Sequence, residues 1–401
     1  MPAPIAIPEA YGTTPSTRIQ VGVPPVFPGA ATMSLIGPNP TTIIGGGGGQ
    51  TVLGAAAAQA IANPGTFVLL PDSGLGQGMY YPGDTGPVIN WQNKIAWDSR
   101  NNKIKILGST HDDGGGAPEH YIEYNEATNT WTLNMVWVQY PSFAHWGDHA
   151  GCCMPDTGEL IALGMAGDTR VLRITDGQTI PPMSVLSWAA PAGRQIMGAW
   201  EYDPVQDKFL LGDSNTDISF FARSNGAKTF MDYAWGWQLW GQWSRYCPGK
   251  GIYFGGGRGT TEAFFVYLAM EGGSTFTRYD NAPWEQDIWS QITVDPATGR
   301  LVAFRWNGSY PSGFAQAYDF DIARGAGNMW QPRASVAANL AGSIYSKVSY
   351  FSPSDRASGA HASRASCYIP KYGVTFWICA VGYYSAPDNR MYVYKHPSGS
   401  S

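Results

Sequence analysis

The side chains best suited to chemistry in this chain are histidines, acids and aromatic residues that gather in glycine-rich stretches. Trp, Tyr, Asp and His are residue types that pack on a sugar ring and hydrogen-bond its hydroxyl groups. The same types also serve as turns and packing contacts, so a binding site and a purely structural role both stay open. The predicted ligand-binding residues are His111, Asp112, Asp113, Trp146, Asp148, His149, Arg258, Trp306, Tyr310 and Tyr383.

No motif in the sequence commits the chain to catalysis. Residues 255–259 form the run GGGRG, which lacks the Lys-Ser/Thr pair of a phosphate-binding loop. A Gly-x-Ser-x-Gly nucleophile elbow is absent from the sequence. Residues 213–217 begin like a calcium loop but are not followed by the glycine and glutamate that such a loop requires. We therefore expect no catalytic residues, no cofactor and no metal site.

The charge content of the chain argues against nucleic acid as a partner and for protein partners. Charged residues make up 14% of the 401 residues, and the net charge is −5. Average soluble proteins contain roughly 25% charged residues. No run of Lys and Arg could form a basic nucleic-acid-binding face. A surface so poor in charge is expected to be covered in part by other proteins.

The cysteines and the hydropathy pattern indicate the kind of cellular compartment in which the protein is expected. The five cysteines form no Cys-x-x-Cys motif, and an odd number is a poor disulfide framework, which favours a reducing compartment. They are expected to be small buried hydrophobes on inner strands. Neither a signal peptide nor an apolar stretch of the roughly 18 residues needed for a membrane span is evident. We expect a protein without membrane insertion.

The elements that must position these side chains are β-strands. In residues 96–131, a hairpin with the turn Asn101-Asn102 is followed by a glycine-rich loop and a strand rich in Tyr and Ile. A second turn, residues 125–130, then leads to a strand that begins near Trp131. This stretch predicts four consecutive antiparallel strands.

The four-strand pattern recurs along the chain. Its first-hairpin turn repeats at intervals of roughly 50 residues, except for a longer last interval that predicts an insertion at residues 332–360. Each second strand is followed by a glycine-containing loop and another aromatic strand. The six copies align on Ser99, Pro155, Pro204, Pro248, Pro296 and Pro370.

The repeat resembles the kelch repeat of β-propellers. The resemblance rests on the glycine-rich end of the second strand and on YNEATNTW at residues 124–131, which is similar to the kelch Tyr-Asp-x-x-Thr-x-x-Trp segment. It implies an all-β fold with six blades. In such propellers the loops between strands two and three and between blades share one face, and the predicted binding residues fall in these loops. Some kelch-like propellers are copper radical oxidases, but nothing here indicates the cross-linked Cys that they need.

The predicted organisation is an extended arm followed by one propeller. Residues 1–65 are rich in Pro and Gly and carry only the charges of Glu9 and Arg18, so they cannot build a core of their own. The propeller is predicted to span residues 66–397, followed by a short tail at 398–401. The sixth repeat lacks a fourth strand, and residues 66–70 are predicted to supply it and close the ring.

Two classes of function follow from these features. The chain resembles propeller proteins of tailed-phage virions, which occur as tail nozzle subunits or as host-facing tail proteins. That resemblance implies a non-enzymatic structural protein located in the virion, with other virion proteins or copies of itself as partners of the arm. The alternative is a carbohydrate-binding or carbohydrate-active kelch-like propeller, for which a glycan on the host surface is the expected ligand.

Overall fold

The structure is a computed structural model, and the chain divides into two compact units between Thr41 and Thr42. All residues that the structure describes belong to the second unit. The described ranges are 51–71, 95–108, 119–136, 150–163, 171–175, 183–186, 199–212, 218–232, 243–256, 265–279, 291–305, 316–333, 366–379 and 390–398.

The described residues form six antiparallel sheets of four strands each, which we number as blades one to six in chain order. Blade one comprises β2 (Ile95–Asp98), β3 (Lys103–Gly108), β4 (Glu119–Asn125) and β5 (Thr130–Val136). Blade two comprises β6 (Ala150–Cys153), β7 (Leu160–Leu163), β8 (Val171–Ile174) and β9 (Met183–Leu186). Blade three comprises β10 (Ala199–Asp203), β11 (Lys208–Gly212), β12 (Ile218–Ala222) and β13 (Lys228–Asp232).

The remaining blades follow the same order, except that the last is completed from the start of the chain. Blade four comprises β14 (Trp243–Cys247), β15 (Gly251–Gly256), β16 (Phe265–Met270) and β17 (Phe276–Arg278). Blade five comprises β18 (Gln291–Asp295), β19 (Arg300–Arg305), β20 (Gln316–Phe320) and β21 (Trp330–Arg333). Blade six comprises β22 (Ser366–Ile369), β23 (Val374–Cys379), β24 (Arg390–Tyr394) and β1 (Phe67–Leu69).

The first strand of every blade lies on the inside of the ring. Contacts run from β2 to β6, β10, β14, β18 and β22 in turn, and from β22 back to β2. This closed circle makes the fold a six-bladed β-propeller. In blade six the strand order is β1-β24-β23-β22, and Phe67 lies opposite Tyr394 in an antiparallel pair. The closing strand predicted at residues 66–70 agrees with this pairing.

The backbone conformation explains why the same first-hairpin turn recurs in every blade. Three residues after the aligned turn position, the chain enters the left-handed region, which Gly, Asn and Asp adopt most readily. The sequence places only these residue types there. The φ angles are 53° at Asn102, 75° at Gly158, 53° at Asp207, 121° at Gly251, 68° at Gly299 and 66° at Gly373.

In three blades an aspartate immediately before the turn holds the turn together. Asp98 Oδ1 accepts hydrogen bonds from the backbone amides of Arg100 and Asn101 at 3.0 and 3.1 Å. Asp203 and Asp295 accept from the amide two residues further on at 2.8 and 3.3 Å. Aspartate competes well for such amides, so these side chains define the turns locally.

The core lies between blades as well as within them. Trp200 and Phe209 of blade three stack at 4.8 Å between ring centroids and pack with Cys152 and Ile161 of blade two. Polar bridges add to this packing. The buried Lys105 pairs with Asp98 at 2.7 Å and donates to the carbonyl oxygen of Gly158 in the next blade at 2.6 Å. Each blade is thus stabilised by its neighbours.

A helix precedes the closing strand, so within the arm predicted at residues 1–65 the stretch Val52–Ala62 is helical and not extended, while residues 1–50 lie outside the described part of the chain. Residues Val52–Ala62 form α1, which begins at Thr51, whose Oγ1 accepts from the amide of Gly54 at 3.0 Å. Leu53 and Ala60 are fully buried in the core that joins blades six and one. The alanine-rich stretch favours a helix, and tertiary packing stabilises it. Among the described residues, no helix is long and apolar enough to cross a membrane.

The insertion predicted at residues 332–360 starts too early by two residues. β21 extends to Arg333 and pairs with β20, with Pro332 opposite Tyr318. Proline is tolerated there because β21 is the outermost strand of its blade. Residues 334–360 lie outside the described part of the chain.

Two glycines, one in the turn after β14 and one at the start of β15, test the turn geometry. Gly249 (φ 75°) and Gly251 (φ 121°) both have left-handed backbone. A Cβ on Gly251 would lie 1.9 Å from the carbonyl oxygen of Ala269, whereas one on Gly249 would meet no atom within 4 Å. Gly251→Ala should cost more than about 4 kcal/mol of unfolding free energy, and Gly249→Ala about 1–2 kcal/mol. Urea unfolding measures both, and equal losses would contradict this geometry.

Two truncations test the closure of the ring. A chain of residues 50–401 keeps α1 and β1, whereas a chain of residues 72–401 loses both and leaves β24 as an open edge. We expect the shorter chain to lose more than about 4 kcal/mol of stability and the longer one to change by less than about 0.5 kcal/mol. Thermal unfolding followed by circular dichroism provides the comparison. Equal melting temperatures for the two chains would rule out closure by β1.

Candidate functional site

The binding residues predicted from the sequence all lie outside the residues that the structure describes. Their grouping on one face of the propeller therefore stays a prediction. The residues concerned are His111, Asp112, Asp113, Trp146, Asp148, His149, Arg258, Trp306, Tyr310 and Tyr383.

The described residues line a cavity at the propeller axis, on the side of the first-hairpin turns. We call it the turn-side cavity; its volume is about 270 Å³. Its lining includes the six aligned turn residues, Ser99, Pro155, Pro204, Pro248, Pro296 and Pro370. It also includes the residues two positions earlier in each blade, Trp97, Cys153, Tyr202, Tyr246, Val294 and Tyr368.

The repeat itself explains why these residues meet. The first strand of each blade runs along the axis and ends at the aligned turn, so equivalent positions of six blades come to the same depth. The aromatic residues of this layer are also fixed by contacts between blades and within them. Tyr246 donates a hydrogen bond from its hydroxyl group to Glu271, and Tyr202 donates to Asp207 Oδ1 at 2.6 Å. The cavity is therefore formed by well-anchored side chains.

Arg245 links two blades that are not neighbours. Its Nη1 donates to the carbonyl oxygen of Ser244 at 2.7 Å, and its Nη2 donates to that of Ser366 at 3.2 Å. Arg245 lies on β14 of blade four and Ser366 on β22 of blade six, so the side chain passes blade five near the axis. Arg245 also lines the turn-side cavity, one residue further from the aligned turn than Tyr246.

Glu201 supplies the acid that accompanies Arg245. Burial raises the pKa of its carboxyl group to about 7, against the opposing effects of Arg245 and of the backbone amides of Tyr202 and Tyr246. Burial likewise lowers the pKa of Arg245, while Glu201 raises it. Glu201 keeps some exposure to the cavity, whereas Arg245 is buried. The cavity thus holds one acidic and one basic side chain, and each shifts the pKa of the other.

Two of the three cysteines at the cavity, Cys152 and Cys367, are poor nucleophiles. Burial raises the pKa of Cys367 to about 12 and that of Cys152 well above its usual value, so both thiols stay protonated near neutral pH. Within the described part of the chain, no group of three or more His, Cys, Asp or Glu side chains is arranged to hold a metal ion. The described cavity is suited to binding through hydrogen bonds and packing.

Sequence reasoning missed Glu201 and Arg245, although a signal was present. Both stand three residues before the aligned turn position, in the middle of an inner strand. The equivalent positions carry mostly small side chains, Ala96, Cys152, Thr293 and Cys367. A charged residue at such a position is uncommon, because burying it without a partner is unfavourable. Their pairing depends on which blades are adjacent and could not be derived from one repeat alone.

Comparison with known proteins places the chain in no family. No protein-family model matches it, and no curated protein sequence matches it. Similar solved structures include a protein of unknown function from Bacteroides thetaiotaomicron, which is 14% identical, with 76% of this chain and 69% of that chain covered and a TM-score of 0.48.

Two further solved structures show weaker similarity. A proposed 6-phosphogluconolactonase from Bacteroides uniformis is 11% identical, with 75% of this chain and 88% of that chain covered and a TM-score of 0.43. The WD40 domain of SCAP from fission yeast is 9% identical, with 58% of this chain and 61% of that chain covered and a TM-score of 0.34. Similarity at this level carries no argument about function.

The raised pKa of Glu201 predicts a pH dependence of stability. The folded protein holds this proton up to about pH 7, whereas an exposed glutamate loses it near pH 4.5. The folded state therefore binds more protons between these values, and stability falls as the pH rises through this window. Glu201→Gln stays neutral and lacks this loss. The melting temperatures of the wild type and of Glu201→Gln should be similar near pH 4. At pH 8 the variant should melt at the higher temperature.

A matched variant controls for general effects of pH in this experiment. Glu159→Gln removes a carboxylate that is half-buried, directly precedes β7 of blade two and lies outside the turn-side cavity. It should not reproduce the gain at high pH. A wild-type protein that gains stability relative to Glu201→Gln between pH 4 and 8 would show that the folded state holds Glu201 ionised.

Proposed function

We propose that the protein is a non-enzymatic structural component of a virus particle, a kelch-like tail protein of a tailed phage that acts as a nozzle subunit or as a host-facing part. In this role it packs through its propeller and through residues 1–50, against other virion proteins or copies of itself. The observation that carries the proposal is the way in which the residues directly after this segment are fixed to the propeller.

The fixed point lies at the seam between blades six and one. The hydroxyl groups of Thr51 and Tyr372 are 3.2 Å apart, and Tyr372 donates a hydrogen bond to Glu126 Oε2 at 2.9 Å. Lys371 forms an ion pair with the same Glu126. Thr51 is thus connected to blade six through Tyr372 and to blade one through Glu126. A partner that pulls on the chain at Thr51 therefore pulls on blades six and one together, and does not peel one strand from its sheet.

The composition of residues 1–50 supports a role in binding a partner protein. Glu9 and Arg18 are the only charged residues of this segment, which is otherwise rich in Pro, Gly and aliphatic residues. Disordered segments that remain free in solution usually carry more charge. A segment with this composition gains more from packing on a protein surface than from hydration, which is the expected behaviour of an assembly arm.

Apolar side chains on outer strands give the propeller itself a surface for contacts. Leu69 on β1 is 51% exposed and Phe230 on β13 is 49% exposed, and both strands are the outermost of their blades. An exposed apolar side chain on an outer strand contributes to a protein contact when it is part of a larger apolar patch. Their position supports lateral packing between propellers or against neighbouring tail proteins.

The alternative function, a carbohydrate-active or carbohydrate-binding propeller, was predicted from His111, His149 and their neighbours. These residues lie outside the described part of the chain. The alternative therefore keeps the status of a sequence-based prediction.

Deleting the arm while keeping the ring intact tests the assembly role. The cut must leave α1, because removal of residues 1–60 would take away the buried Leu53 and Ala57. A chain of residues 50–401 should fold with unchanged stability yet fail to enter particles assembled with the other virion proteins. Mass spectrometry of purified particles measures incorporation, with Glu159→Gln in the full-length chain as the folded control, because this change leaves residues 1–50 and the outer strands unaltered.

Two results would contradict the proposed role. One is the absence of the full-length protein from purified particles. The other is incorporation of the chain of residues 50–401 at the full-length level, which would show that residues 1–49 are not the assembly arm.

A further inference from the structure

The turn-side cavity has the size of a small-ligand site. Its volume of about 270 Å³ is just under the roughly 300 Å³ at which typical ligand pockets of proteins begin. It lies on the axis, where every blade contributes to its wall. Such a space accommodates one ring of a small molecule rather than an extended chain.

The walls of the turn-side cavity are preorganised. The six aligned turn residues form the rim of the cavity. Five of them are prolines, whose φ angle is fixed by the pyrrolidine ring of the side chain. Beneath the rim, the half-buried Trp97, Tyr246 and Tyr368 offer aromatic surface to the cavity. A ligand that contacts these groups does not have to order them, which favours binding.

The inner end of the cavity is polar and carries opposite charges on Arg245 and on the ionised fraction of Glu201. Arg245 is already hydrogen-bonded to two backbone carbonyl groups and interacts with Glu201. An anion would have to compete with Glu201 for Arg245, and a cation would have to compete with Arg245 for Glu201. A wholly apolar ligand would remove water from the Glu201 carboxyl group without replacing its hydrogen bonds, which is unfavourable.

The ligand that meets these conditions is neutral, carries hydroxyl groups and has apolar C–H faces. We propose that the turn-side cavity binds a single neutral sugar ring, whose C–H groups pack on Trp97, Tyr246 and Tyr368 while its hydroxyl groups hydrogen-bond to Glu201. This site requires neither the virion role nor the assembly arm, so its test is independent of theirs.

Cys153 offers a way to fill the cavity without disturbing the fold. It stands in blade two at the position that carries Trp97, Tyr202, Tyr246 and Tyr368 in four other blades, and it is half-buried at the cavity wall. Because an aromatic residue fits this position of the repeat elsewhere, Cys153→Trp is expected to fold. The added indole ring would occupy the space of the sugar. Cys153→Ala is the matched control, since it leaves the cavity open.

The experiment is ligand-observed NMR by saturation transfer, with the full-length protein and the probes glucose, galactose, mannose, glucosamine and glucuronate. We expect at least one neutral hexose to bind, and glucosamine and glucuronate to bind at least about tenfold more weakly. Cys153→Trp should lose at least about tenfold in affinity for that hexose, and Cys153→Ala should keep it within about twofold. Phe230→Ala, which removes an exposed aromatic ring far from the axis, should also keep it.

Each contrary result overturns the proposal in a defined way. If no hexose of the panel binds up to its solubility limit, the cavity is not a sugar site. If a hexose binds equally well to Cys153→Trp, provided that this variant melts like the wild type, the sugar binds elsewhere on the protein. If Cys153→Trp does not fold, Tyr368→Ala replaces it, and undiminished binding to that variant counts against the proposal. Tighter binding of glucosamine or glucuronate than of every neutral hexose contradicts the competition of Glu201 and Arg245 with a charged ligand.

Discussion

The pairing of β1 with β24 is the interaction on which the whole fold depends. Phe67, Val68 and Leu69 lie opposite Tyr394, Val393 and Tyr392, and the pairing continues through the amides of Gly65 and Leu70. It joins the two ends of the described propeller, which are more than 300 residues apart. Without it, blade six would have three strands and an open edge, and the core that joins blades six and one would lose Val68 and Leu70.

Closure of the ring also creates the turn-side cavity. Blade six contributes Tyr368 and Pro370 to the wall and accepts the hydrogen bond of Arg245 through Ser366. These groups face side chains of blades one to five only when the ring is complete. The same seam holds Thr51 at the start of α1. The proposed sugar site and the proposed assembly arm, although independent in function, therefore depend on one structural event.

The sequence predicted the fold well where the local backbone conformation requires a particular residue type. The six turns were visible because a left-handed residue must follow at a fixed distance, as with Asn102 and Gly299. The seam and the cavity depend on contacts between blades and were harder to foresee. Trp131, for example, packs on Tyr124 of its own blade at 5.2 Å but also donates from Nε1 to the Met391 sulfur of blade six at 3.0 Å. α1 was missed because Pro and Gly around it obscured a good helical stretch.

Hydrogen exchange at the closing strand tests the central claim most directly. The amides of Gly65 and Leu70 donate to the carbonyl oxygens of Lys395 and Met391 at 2.8 and 2.9 Å. If the β1–β24 pairing holds the ring together, both amides exchange only by global unfolding, with the same free energy as amides of the central strand β23. Exchange at a clearly lower free energy, while β23 stays protected, would show that β1 detaches from an intact propeller and would contradict the account.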